Sequence, residues 1–193
     1  MLAIFVVLKV VPAAPAIPRQ PGWSSFVEVL VHPLLLRMNF GVFALHLIQT
    51  AMWIILPSAL VSNGGLPVGE HWKVYLPAVL LSFVIMVPAI IAAEKHGRMK
   101  LVFNGAIALL LAVQLGFGFL GNGLYALFFW LMLFFVAFNV LEATQPSLIS
   151  RIAPPHAKGA ALGVYNTTQP LGLFLGGVLG GTLVKFSGPS VVW

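Results

Sequence analysis

Residues 139–181 read NVLEATQPSLISRIAPPHAKGAALGVYNTTQPLGLFLGGVLGG, and two features of this stretch decide the fold. One carboxylate, Glu142, lies inside an otherwise uncharged apolar run, and the next run is studded with small residues. An ionisable side chain at the centre of a bilayer costs about 2.5–3.5 kcal/mol on insertion scales, so it faces a cavity and carries a task. Glycine-rich spans let helix backbones approach closely. Together these features predict a moving, water-accessible assembly of membrane helices.

Composition agrees. The 193-residue chain is 60% hydrophobic and 7% charged, against about 25% charged residues in soluble domains. Its mean hydropathy is +1.04. With no cysteine, it has no disulfide, thiolate metal site or cysteine nucleophile. The five histidines (32, 46, 71, 96 and 156) lack the spacing of a metal motif, so neither a metal nor a cofactor is expected.

Apolar runs at 38–62, 74–93, 101–120, 124–150 and 159–184 are each 20 to 27 residues long. About 20 residues cross a bilayer core as helix, and the runs lack the alternation of barrel strands. The expected fold is therefore all-α and membrane-embedded: a partial six-helix bundle of five complete spans, with two truncated ones at the ends. Residues 1–11 read as the tail of one truncated helix and 189–193 as the start of the other. Segment 12–37 reads as a cytoplasmic connector, leading into a bundle over 38–193.

Orientation follows from the basic residues. Segments 9–37, 94–100 and 151–158 hold eight of the ten, and the links between them hold only Lys73 and Lys185. The basic side is the cytoplasmic one. The pI near 10.1 is thus a matter of topology, and no nucleic-acid partner is expected. The expected location is the bacterial inner membrane, crossed several times, with loops 12–37, 94–100 and 151–158 in the cytoplasm.

Two spans carry polar faces. Asn39, His46, Gln49 and Trp53 recur along 38–62, and Asn139, Glu142 and Gln145 along 124–150. Spans 74–93 and 101–120 carry few polar residues and are expected to face lipid or to pack. Interior prolines free the carbonyl four residues earlier, and Pro57, Pro146 and Pro170 free those of Trp53, Glu142 and Asn166. Glu142 can take up and release a proton as its surroundings change, which suits proton-coupled transport. The bland alternative is a structural carboxyl bonded to a neighbouring helix. His46 is either a cavity ligand or a packed histidine. Gly172, Gly176, Gly177, Gly180 and Gly181 form a small-residue seam, read as tight packing that also lets one bundle rock against another.

Three segments carry a family resemblance. AAEKHGRMK at 92–100 is similar to a second copy of the loop signature of the major facilitator superfamily, met by Glu94, Lys95, Gly97, Arg98 and Lys100. It departs from that signature at Ile90, where the family has glycine, and in having Glu94 for aspartate. Residues 138–169 resemble the tenth and eleventh helices of YajR-type, drug-efflux-like members, and 172–181 resemble the counterpart of an antiporter motif. The resemblance implies the C-terminal half of a twelve-helix transporter, from the end of its sixth helix to the start of its twelfth. It implies alternating access, a partner N-terminal six-helix bundle, and a loop around Glu94 that latches onto that bundle.

The expected function is half of a secondary transporter that exports hydrophobic or amphiphilic molecules against proton entry. Trp53, Phe43, Phe135 and Tyr165 would form the solute's apolar wall, with His46, Gln49, Asn139 and Gln145 orienting it and Glu142 carrying the proton. A sugar or nutrient importer of the same fold, or a stand-alone membrane scaffold, are the alternatives. A membrane enzyme would need clustered acids, whereas Glu28, Glu70, Glu94 and Glu142 are scattered.

Overall fold

The computed structural model describes residues 22–120 and 122–187. The expected truncated helices at 1–11 and 189–193 lie outside the described residues. The described chain forms six helices: α1 (Gly22–Val31), α2 (Pro33–Ser62), α3 (Trp72–Lys95), α4 (Met99–Leu120), α5 (Leu124–Ile152) and α6 (Lys158–Ser187). A single 3-10 turn, Val68–Glu70, precedes α3. The described residues are all-α.

Four segments are long and apolar enough to cross a membrane: Pro33–Ser62, Val68–Lys95, Met99–Leu120 and Leu124–Ile152. The expected fifth span, 159–184, has the length, since α6 runs for 30 residues. It is the least apolar of the long helices, because its start carries Asn166, Thr167, Thr168 and Gln169 and its remainder is diluted by glycine.

The connector differs most from its sequence reading. Residues 22–31 are helical, and α2 begins at Pro33 rather than at 38. The cause is local. The Leu35 amide donates to His32 Nδ1 at 3.4 Å, and Pro33 sits where a helix start needs no amide donor. Val29 and Ser25 of α1 are buried, and Phe26 packs beside them on a cluster formed by Leu35, Val42, Ile149, Ala157 and Val164. A larger core joins α2, α3, α4 and α5 around Leu56, Ala78, Val113, Leu131 and Phe134.

Helices α2 and α6 make the most extensive pairing in the bundle. Its cause is the glycine seam. A Cβ on Gly172 would strike the Phe43 carbonyl, one on Gly176 the Leu47 carbonyl, and one on Gly180 would sit 3.1 Å from Ala51 Cα. The three glycines therefore rest on successive turns of α2 backbone. Gly177 has only the Thr50 methyl nearby, at 3.7 Å, and Gly181 faces open space. Gly172, Gly176 and Gly180 thus form an internal joint of this bundle, with α2 filling the space beside them. Pro57, Pro146 and Pro170 lie inside continuous helices, but so do Pro77 and Pro88 of α3, which has no polar face. Interior proline here does not single out a cavity.

Gly176→Ala is expected to cost about 1–3 kcal/mol through overpacking against the Leu47 backbone. Gly181→Ala should stay within about 0.5 kcal/mol of the parent. Thermal unfolding of the two variants in detergent checks the contrast.

Candidate functional site

The polar faces of α2 and α5 meet where α6 crosses them. His46 of α2 places Nε2 3.6 Å from Glu142 Oε2 of α5. The other carboxylate oxygen, Oε1, accepts a 2.7 Å hydrogen bond from Gln169 Nε2 of α6. The same amide donates to the Tyr165 hydroxyl at 3.3 Å, one turn back on α6. His46 is anchored through Nδ1, 2.9 Å from the Val42 carbonyl, and the Phe138 ring stands edge-on to it at 5.7 Å. Three helices thus converge on one carboxyl group.

Burial within the site is uneven. The His46 side chain is 9% exposed and that of Glu142 is 36% exposed. Glu142 Oε2 is nonetheless enclosed and lacks a hydrogen-bond partner. Among the described residues the carboxylate has one hydrogen-bonded oxygen and one that faces the imidazole without a hydrogen bond. An enclosed acceptor left unpaired costs about 1–3 kcal/mol.

The other expected site residues are dispersed. Asn139 Nδ2 donates to Ser82 Oγ of α3 at 3.0 Å, and Ser82 donates in turn to the Val79 carbonyl at 2.6 Å. Trp53 packs edge-on to Tyr75 at 5.1 Å and tilts onto Phe135 at 6.2 Å, within the apolar core. Gln145 is buried with Oε1 unpartnered, and it borders a separate groove of about 450 Å³ between α2, α4 and α5. None of the four clustered side chains lines that groove. Gln49 is half-buried on α2, and among the described residues it makes no hydrogen bond to the cluster.

Gln169 was not singled out from the sequence, although its four-residue spacing from Tyr165 was a usable signal. Among the described residues no three metal-ligating side chains come together.

At the basic ends of the helices, Glu94 accepts from Arg151 Nη2 at 2.6 Å and from Ser147 Oγ at 3.4 Å. Both donors belong to α5, so Glu94 is engaged inside its own bundle. Lys95, Arg98 and Lys100 are exposed, and Gly97 makes the turn between α3 and α4 with φ +64°, a conformation that favours glycine. A second surface pair, His156 Nε2 to Glu28 Oε2 at 2.8 Å, ties α1 to the α5–α6 link.

No protein-family model matches the chain. It is 42% identical to the inner membrane transport protein YajR of Escherichia coli (strain K12) over 165 residues, covering 84% of this chain and 36% of YajR. The chain is a relative of the YajR-type bacterial transporters. It is also 28% identical over 155 residues to the uncharacterized transporter BU466 of Buchnera aphidicola, covering 80% of this chain and 40% of that protein. Identity to the multidrug resistance protein MdtH of Proteus mirabilis is 25% over 164 residues, covering 85% of this chain and 40% of MdtH. The chain spans about two fifths of the length of these relatives. The likeness is to transporters of the major facilitator type, as residues 92–100 and 138–169 led one to expect. With four long apolar helices, it makes the chain part of a multi-pass inner-membrane protein.

Gln169→Leu should leave Glu142 Oε1 without its donor and destabilise the bundle by about 1–3 kcal/mol. Adding Glu142→Gln to that variant should recover part of the loss, because a neutral amide is cheaper to enclose than a charge. Thermal melting of the single and double variants in detergent measures both effects.

Proposed function

We propose that this chain is one bundle of a secondary transporter that works by alternating access with a partner N-terminal six-helix bundle. In this reading it exports hydrophobic or amphiphilic small molecules and takes protons inward through Glu142. No enzymatic step belongs to the mechanism. The observation that carries the proposal is the convergence of α2, α5 and α6 on a single half-exposed carboxyl group in an apolar bundle. A carboxylate in hydrocarbon persists where it binds or relays something, and the ligand that suits an enclosed, unpartnered carboxylate oxygen is a proton.

The solute class rests on the scarcity of hydrogen-bonding side chains. The Phe138 ring and Tyr165 stand beside the cluster, and Asn139 is bonded to Ser82 instead. A sugar site would need many convergent donors and acceptors, whereas apolar pockets with few polar groups suit apolar ligands. The name of the relative MdtH, a multidrug resistance protein, points the same way.

In the full-length protein, Glu142→Gln should insert normally yet lose the pH dependence of efflux of a lipophilic dye. Dye efflux with an unaltered pH profile would remove Glu142 from the coupling mechanism. Sugar uptake without dye efflux by the parent protein would overturn the solute class.

A further inference from the structure

The imidazole beside Glu142 is held in a way that fixes its protons. A carbonyl oxygen can only accept, so the 2.9 Å contact with Val42 requires Nδ1 of His46 to carry hydrogen. In the neutral ring Nε2 then bears a lone pair, and it is this atom that faces Glu142 Oε2 at 3.6 Å. Glu142 Oε1 is already taken by the Gln169 amide. When the ring is neutral and the carboxyl ionised, an enclosed carboxylate oxygen and the imidazole lone pair confront each other with no hydrogen between them.

We infer that His46 and Glu142 form one shared site that binds a single proton between Nε2 and Oε2. This deepens, and rests on, the reading of Glu142 as the proton carrier. With the proton on oxygen, Glu142 donates to Nε2; with the proton on nitrogen, the imidazolium donates to the carboxylate. Either arrangement satisfies both atoms and leaves the pair with no net charge. A second proton would leave an uncompensated cation in an apolar bundle, where charge is expensive. The titratable groups brought together here are His46 on α2, Glu142 on α5 and Tyr165 on α6.

The spacing gives the site a mechanical consequence. Hydrogen bonds of this kind span about 2.7–3.2 Å, and the observed 3.6 Å lies just beyond. Proton arrival therefore draws His46 and Glu142 together by a few tenths of an ångström, pulling α2 toward α5. Gln169, whose amide also donates to Tyr165, holds the carboxyl through Oε1 and leaves Oε2 free for the shared proton.

The test is an infrared pH titration of purified full-length protein, following the carbonyl band of the protonated Glu142 carboxyl, identified by its loss in Glu142→Gln. His46→Asn keeps a donor near the Val42 carbonyl but offers nothing at the Nε2 position, and it should weaken proton binding at Glu142 about tenfold, a shift of about one pH unit. His46→Gln, which fills more of the ring's space, should act in the same direction and serves if the first variant fails to insert. A Glu142 band with the parent midpoint in both variants would overturn the shared site while leaving Glu142 as a lone proton carrier. A parent in which neither a Glu142 carboxyl band nor an imidazolium band that is lost in His46→Asn titrates would instead remove the proton-carrier reading itself.

Discussion

The contact on which the rest of this bundle depends is backbone against backbone, where α6 lies on α2. In a bilayer the hydrophobic effect gives helices no reason to associate, because lipid tails are as apolar as leucine; close packing and hydrogen bonds remain. Gly172, Gly176 and Gly180 meet Phe43, Leu47 and Ala51, so a four-residue step on one helix engages a four-residue step on the other. That matching fixes register as well as distance. Moving α6 by one residue would bring side chains onto the α2 backbone and the joint would open.

The register then determines the chemistry. Gln169 and Tyr165 lie three and seven residues before Gly172, on the turns of α6 that pass His46 and Glu142. The polar cluster sits at the junction between two apolar cores. One extends from Leu45 and Leu141 toward Leu60 and Leu127, and the other from Val42 and Ile149 to Ala157 and Val29. Apolar packing above and below thus encloses Oε2 and the imidazole, while the glycine joint delivers the amide that satisfies Oε1. The surface pairs Glu94–Arg151 and Glu28–His156 play a smaller part, since exposed ion pairs contribute about 0.2–1 kcal/mol whereas an acid inside the bilayer is a cost of about 2.5–3.5 kcal/mol.

Hydropathy and punctuation carried the architecture. Helices α3, α4 and α5 begin and end within two residues of the apolar runs, because Gly97, Gly123 and the charged links interrupt them sharply. The connector was harder to read. Its prolines suggested a loop, but the stretch 22–31 is free of them and buries Val29 against the bundle. Within the site, Glu142 and His46 were legible as lone polar groups in apolar runs, and Tyr165 as an aromatic nearby. Gln169 was obscured by the glycines after it. No local pattern could give Ser82 and Arg151 as partners of Asn139 and Glu94, since each pairing joins residues more than fifty positions apart.

The polar ladder of α5 shows why spacing misled where composition did not. Asn139, Glu142 and Gln145 are three residues apart, and three residues fall about 60° short of a full helical turn. Across the ladder the side chains therefore fan out instead of sharing one line. Asn139 reaches α3 at Ser82, Glu142 reaches α6 and α2, and Gln145 borders the groove beside α4. A helix that presents one polar group to each of its neighbours acts as a hub. Any change in the Glu142–His46 distance must be accommodated by a helix also bonded to α3 and packed on α4. The fan of α5 thus ties the Glu142–His46 contact to the packing of the whole bundle.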